Sequence, residues 1–319
     1  MKWQKRGLIF DPANHYLNFE CVDYAQSPQV VVYDDFVRIY FSTRSKDSLN
    51  KLVSRIVFVD FNKDLTKIVG HSKKEVIPLG KTGCFDEHGI FPLSPLRYQD
   101  KIIAFTCGWS RRMSVPVETS IGFAFSEDNG VTFKKLGNGP ILTSSLKEPM
   151  LVGDAFVRIY DGVFHMWYIY GKCWLAAANN EPEARVYKIA HAISKDGIAW
   201  EKEEGRQIIE DVVGVNECQA LPTVIRIENK YHMFFCYRYA TDFRQNPKRS
   251  YKLGYAYSDD LKSWKRDDVN KGIDISDSGW DSEMMCYPNL FEAYGKFYLL
   301  YNGNMFGKYG FGLAELETL

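Results

Sequence analysis

Ile121-Gly-Phe-Ala-Phe-Ser-Glu-Asp-Asn-Gly-Val-Thr-Phe133, Ile189-Ala-His-Ala-Ile-Ser-Lys-Asp-Gly-Ile-Ala-Trp200 and Leu253-Gly-Tyr-Ala-Tyr-Ser-Asp-Asp-Leu-Lys-Ser-Trp264 are one pattern written three times. Each reads as an alternating strand, a turn rich in Ser, Asp and Gly, and an aromatic residue that opens the next strand. Residues 54–65 carry a weaker copy and residues 310–316 a truncated one, which makes five. Internal repetition at this scale decides an architecture before any single element does.

A second strand precedes each copy: Phe36–Phe41, Lys101–Phe105, Val163–Tyr168, Tyr231–Phe235 and Phe297–Tyr301. Before each of these lies another, opened at Pro28, Pro95, Ala155, Pro222 and Pro288, about eight residues ahead of the following strand in four of the five units. A fourth strand follows the turn, as in Trp200-Glu-Lys-Glu-Glu-Gly and Trp264-Lys-Arg-Asp-Asp. Units of roughly 60–70 residues with four antiparallel strands predict an all-β fold, a five-bladed β-propeller. Helical periodicity is almost absent, and one domain over residues 1–319 accounts for the chain. The last unit lacks its fourth strand, and Trp3–Phe10 resembles the fourth strands of the others. The N-terminal strand is therefore expected to complete the last blade and close the ring, which removes open edges.

Composition bounds the function. The chain has 40 basic and 40 acidic residues among 319, with 45% hydrophobic and 25% charged, as in ordinary globular proteins. Zero net charge argues against nucleic acid as a partner. No stretch approaches the ~18–20 apolar residues of a membrane helix, so no membrane partner is expected. The basic start Met1–Arg6 is followed by an apolar run that breaks at Asp11-Pro12, which predicts no export signal. Seven widely spaced cysteines without a Cys-x-x-Cys pair read as reduced thiols of a cytoplasmic protein, with no metal site and no cofactor. His165 and His232 occupy matching places in two units, which repeat packing explains better than metal binding.

The first strand of a propeller blade lines the central channel, so residues just ahead of the five opening positions are the place to seek a site. Counted back five from the proline, three units carry an acid: Asp23, Glu217 and Glu283. Asp154 stands one place before the third unit's opening position. Converging carboxylates suit glycosidic chemistry, which needs a protonated acid for the departing oxygen and a second carboxylate as base or nucleophile. Arg44, Arg111 and Arg238, near the ends of second strands, could hold a carboxylate or phosphate on a ligand. Trp109 and Trp174 could stack on sugar faces, and Asn302 could contact hydroxyls. The expected ligand is a carbohydrate.

On the blade pattern, the full length resembles the five-bladed propeller glycosidases, the superfamily of family 43, 62, 32 and 68 glycoside hydrolases and the related mannoside phosphorylases. The resemblance implies a base Asp before the first blade's proline, a supporting Asp in the third blade and an acid Glu in the fourth. Asp154, in Gly153-Asp154-Ala155, sits where the supporting residue is expected, and Glu217, in Asn216-Glu217-Cys218, lies in the blade that should supply the acid. Gln26-Ser27-Pro28 departs from the first-blade pattern, so Asp23 or Glu283 would have to serve as base. The Ser-x-Asp-x-Gly turns look similar to the Asp-box of sialidase-type propellers, a structural role assigned to Asp128, Asp196 and Asp259. Two functions follow from the resemblance. One is a glycoside hydrolase-like enzyme with Glu217 as proton donor; the other is a non-hydrolytic propeller that binds glycan or nucleotide-sugar.

Overall fold

The computed structural model describes residues 1–15, 23–176 and 183–319. After β1 (Lys2–Phe10), strands come in successive sets. The first is β2 (Gln26–Val32), β3 (Phe36–Lys46), β4 (Leu52–Asn62) and β5 (Ile68–His71); the second is β6 (Gly89–Tyr98), β7 (Lys101–Arg111), β8 (Val117–Ser126) and β9 (Lys134–Lys135). The third is β10 (Val152–Tyr160), β11 (Val163–Leu175), β12 (Ala184–Ser194) and β13 (Glu201–Lys202). The fourth is β14 (Cys218–Ile227), β15 (Lys230–Arg238), β16 (Lys252–Ser258) and β17 (Lys265–Arg266), and the last β18 (Cys286–Ala293), β19 (Lys296–Asn302) and β20 (Phe311–Thr318). The described residues hold three short 3-10 turns and no α-helix.

Within each set, consecutive strands pair antiparallel. The first two sets join in one eight-stranded sheet through a single parallel bridge between Ser54 and Gly89, and the other three are separate four-stranded sheets. β1 is the outer strand of the last, pairing antiparallel with β20 from Lys2 opposite Thr318 to Phe10 opposite Phe311. The chain's two ends thus share a sheet, as the likeness of Trp3–Phe10 to the fourth strands predicts. β9, β13 and β17 are only two residues long, shorter than the fourth strands read from the sequence.

The turns after the third strands owe their shape to serine and aspartate. Ser126 Oγ donates to Asp128 and Ser194 Oγ to Asp196; Asp128 then accepts from Thr132 N, and Asp196 from Ile198 N and Ala199 N. In the fourth set Asp260, not Asp259, does this, accepting from Lys262 N at 2.9 Å and Ser263 N at 2.8 Å. The Ser-x-Asp spacing places the capping residue two positions after Ser258, so the assignment to Asp259 is corrected.

Apolar layers lie between neighbouring sheets. Val37, Ile39 and Val57 of the first set pack with Leu300, Phe311 and Leu313 of the last, and Phe105 and Ile121 of the second with Met166 and Tyr168 of the third. Each fully buried side chain of this size contributes about 1.5–3 kcal/mol. The innermost strands also touch in sequence: β2 lies against β6 and β18, β10 against β6 and β14, and β14 against β18.

Candidate active site

Each innermost strand carries the same β-bulge. Two residues oppose one on the partner strand at 27–28, 91–92, 154–155, 221–222 and 287–288. Ser27, Asp154, Leu221 and Tyr287 have φ between 48° and 56°, and the peptide bond between Phe91 and Pro92 is cis. The second set's equivalent of Pro28, Pro222 and Pro288 is therefore Pro92, not the Pro95 expected from the sequence. A bulge re-aims the side chain it carries, and Phe91, Asp154 and Tyr287 all line one cavity of about 680 Å³. This is the size of a small-molecule pocket.

Asp154 is 8% exposed. Burial raises its pKa to about 7, against the opposing pull of the Arg185 guanidinium and the Leu221 backbone N–H. The carboxyl is thus close to half protonated at neutral pH, the condition for a proton donor. Beside it, burial and the Asp154 charge push the Cys107 thiol up.

One side of the cavity is rich in donors. Arg238 ends β15, and its Nη1 donates to the carbonyls of Tyr239 (2.7 Å) and Ala240 (3.2 Å). Its Nη2 donates to Tyr187 Oη at 2.9 Å, its guanidinium lies 3.6 Å from the Phe243 ring centre, and its buried Nε has no acceptor among the described residues. Tyr187 and Tyr251 share a 2.6 Å hydrogen bond. That pair holds two O–H protons and uses one, and the other has no acceptor among the described residues. Arg185, on β12, and Arg244, exposed in the loop after β15, complete this wall. Although Arg244 stays open to solvent on one side, desolvation by the cavity wall and the charges of Arg238 and Arg185 press its pKa down. Among the described residues none of these three arginines has a carboxylate within ion-pair distance.

Five expected residues line the cavity: Asp154, Arg44, Trp109, Trp174 and Arg238. Five do not. Glu217 is fully buried away from it, its carboxylate accepting from Val212 N, Val213 N, Gln219 Nε2 and Arg266 Nη1. With those bonds made, its oxygens are turned to protein donors rather than to a ligand, which corrects the placement of Glu217 beside Asp154. Glu283 is exposed, and its backbone rather than its carboxylate is engaged, by Asn304 Oδ1 and Lys252 Nζ. Asp23 contributes its carbonyl to Arg44 N and Thr43 Oγ1. Arg111 is ion-paired with Asp47 at 2.8 Å. Asn302 is fully buried as a tether, accepting from Ser27 N and donating to the carbonyls of Ala25 and Gly310. Among the described residues, the acid that does join Asp154 on the cavity wall is Glu183.

Sequence reasoning missed Arg185, Tyr187, Glu183, Arg244, Tyr251 and Tyr287. Tyr287 was open to it, because it directly precedes Pro288 as Asp154 precedes Ala155. Arg185 and Tyr187 alternate on β12 just ahead of the repeat at Ile189, where the same face of the strand continues.

No family model matches the chain. It is 30% identical to "Uncharacterized protein MT1551" of Mycobacterium tuberculosis (strain CDC 1551 / Oshkosh) over 326 residues, covering 100% of both chains. It is 30% identical to a β-1,2-mannobiose phosphorylase of Thermoanaerobacter sp. (strain X514) over 142 residues, 41% of this chain and 44% of that one. Its fold is similar to that of a solved glycoside hydrolase, with TM-score 0.72, 16% identity and coverage of 99% of this chain and 92% of that one. It is also similar to the β-1,2-mannobiose phosphorylase of Listeria innocua in complex with β-1,2-mannobiose, with TM-score 0.68, 12% identity and coverage of 99% and 96%. A thermostable family-43 glycoside hydrolase matches with TM-score 0.66 and 16% identity, over 93% of this chain and 91% of that one. The chain belongs to the family of the mycobacterial protein, and its fold is similar to that of glycosidase-like propellers.

Proposed function

We propose that the five sets of strands are the blades of one closed ring, a single domain over residues 1–319, and that its cavity cleaves a glycosidic bond by passing the sugar to an oxyanion. The contacts of β2 with both β6 and β18, and the apolar layer between the first and last sets, support the ring. The reaction rests on one observation: a buried carboxyl titrating near 7 faces the same cavity as three arginines without carboxylate partners among the described residues.

Asp154 gives its proton to the departing glycosidic oxygen as the bond from that oxygen to the anomeric carbon breaks. An oxygen of inorganic phosphate, held by Arg185, Arg238 and Arg244, attacks the anomeric carbon, and the products are a sugar 1-phosphate and the shortened saccharide. A proton from the phosphate monoanion restores Asp154. Phosphate brings its own nucleophilic charge, so this route needs no carboxylate base to activate water. The 30% identity over 142 residues to a protein named as a β-1,2-mannobiose phosphorylase supports this choice over hydrolysis.

A panel of mannobioses, glucobioses and arabinobioses, incubated with and without phosphate and followed by phosphorus NMR, tests the reading. Sugar 1-phosphate formed only with wild-type enzyme and phosphate, and lost in D154N, is the expected result. Free sugar without phosphate would instead indicate hydrolysis, with Glu183 as the base to examine. Nucleotide-sugar binding without turnover on any saccharide would move the reading to a binding propeller, because the same arginines suit a diphosphate.

A further inference from the structure

Outside the cavity two buried arginines are neutralised, while the half-buried Arg158 lies over the Phe156 ring and donates to the Val157 carbonyl. Arg38 holds Asp60 through two hydrogen bonds of 2.7 and 2.8 Å, and Arg266 holds both Glu217 and Asp268. Arg44 is different. It is half-buried on β3, with Nε donating to Gln26 Oε1 at 3.0 Å and Nη1 to Ser54 Oγ, and both acceptors are neutral. Among the described residues it has no carboxylate within ion-pair distance, and burial lowers its pKa. A desolvated cation without a counter-charge is costly unless something else supplies one.

Its surroundings favour a ligand as that source. Ser54 Oγ also accepts from Trp109 Nε1 at 2.9 Å, so the guanidinium and the indole are fixed to one hydroxyl. Arg44 and Trp109 both line the cavity, where an indole offers a platform for a sugar ring and a guanidinium a fork for an anion. Arg44 lies 5.8 Å from the Phe91 ring centre, whereas Arg244 stands near enough to Arg238 and Arg185 to feel their charges. The cavity thus has two distinct cationic positions. The phosphate assigned to Arg185, Arg238 and Arg244 leaves Arg44 unanswered.

We propose that the saccharide taken by this cavity carries its own anionic group, a carboxylate or a phosphate on a sugar ring, and that Arg44 beside Trp109 recognises it. The proposal rests on the reading of the cavity as a saccharide site and narrows its substrate class to acidic sugars.

Calorimetry on the full chain tests it, in buffer saturated with inorganic phosphate so that the three-arginine wall is occupied. The probes are glucuronate, galacturonate, glucose 6-phosphate and mannose 6-phosphate, each against its neutral hexose. Wild-type protein should bind at least one acidic class about tenfold or more tightly than the matching neutral sugars. The uronate and phosphate arms identify which anion is recognised. R44Q should bring the acidic sugars down towards the neutral ones, and R44K, which keeps the charge but loses the fork, should fall between. Equal affinities for acidic and neutral sugars in the wild type overturn the proposal whether or not R44Q folds, as does a preference that survives in R44Q. Because binding is read without turnover, an acidic preference in a protein that cleaves nothing would remove the proposed reaction and keep Arg44's role. Cleavage of neutral disaccharides with no acidic preference would do the reverse.

Discussion

Arg266 Nη1 meets Glu217 Oε1 at 2.5 Å across 49 residues of chain, with neither side chain more than 4% exposed. Gln219 Nε2 and two backbone N–H groups fill the remaining positions around the carboxylate. A buried ion pair of this kind is strongly destabilising to break from one side, because the surviving charge has no solvent to turn to.

E217A should therefore lose stability, by less than the ~3–5 kcal/mol of a fully orphaned charge because Arg266 keeps Asp268, read as a lower urea midpoint, and E217Q should lose less because its amide oxygen can still accept. Any fall in rate should track the folded fraction equally for good and poor leaving groups. A stable E217Q that is slow only on poor leaving groups would return Glu217 to the role of proton donor.

Ser258, Asp259 and Asp260 offer a sharper contrast between neighbours. Asp260 accepts from Ser258 Oγ and two backbone N–H groups, and those N–H groups chiefly hold its pKa near 2. D260A should cost about 1 kcal/mol, while D259A should be close to neutral. Since the folded pKa of Asp260 lies below its ordinary value of 3.8, its contribution is present above about pH 4 and lost as the pH falls through about 2. Thermal midpoints of the two variants at neutral and acid pH decide the matter, and equal losses would refute the spacing rule.

The described cysteines give a third test. All six are free; Cys107, Cys218, Cys236 and Cys286 are buried, and Cys84 and Cys173 are partly accessible. Burial raises the pKa of all four buried thiols, and a thiol reacts as its thiolate. Brief alkylation of native protein followed by peptide mapping should modify Cys84 and Cys173 and spare the four buried ones. Rapid labelling of Cys236 or Cys286 would contradict the packing of the innermost strands. Cys21 lies outside the described residues.

The strand pattern was legible because alternation and turn chemistry are local. Ile189–Trp200 announces β12 and its capped turn without help from the rest of the chain. The bulge was half legible: Pro28, Pro222 and Pro288 mark it, but the second set contains both Pro92 and Pro95, and only pairing shows which one opposes Cys107. The site was least legible. Whether Glu217 faces a ligand or Arg266 depends on a contact spanning 49 residues, which no local pattern carries. Arg44 and Arg238 could be named from their strand ends, but their lack of carboxylate partners among the described residues emerges only when five separate stretches meet.

Asp154 supplies the last prediction. With a pKa near 7 it should act as a proton donor only while protonated, so kcat on a poor leaving group should fall as the pH rises through about 7. D154N should lose about 10²–10⁴-fold in rate on that substrate and recover part of it with a good leaving group, which needs less protonation. Stability should move the other way. Burial raises the folded pKa above the ordinary 3.8, so the neutral carboxyl's contribution is complete below about pH 4 and is lost as the pH rises through about 7. The amide introduced by D154N would stay neutral throughout, and its carbonyl could still accept the Leu221 N–H. D154N should thus melt above the wild type at pH 8, by an amount on the order of a few kcal/mol at most, with the gap closing towards pH 4. A variant less stable than wild type at pH 8, or a wild-type rate still rising there, would show that the buried carboxyl is ionised at neutral pH and cannot be the donor.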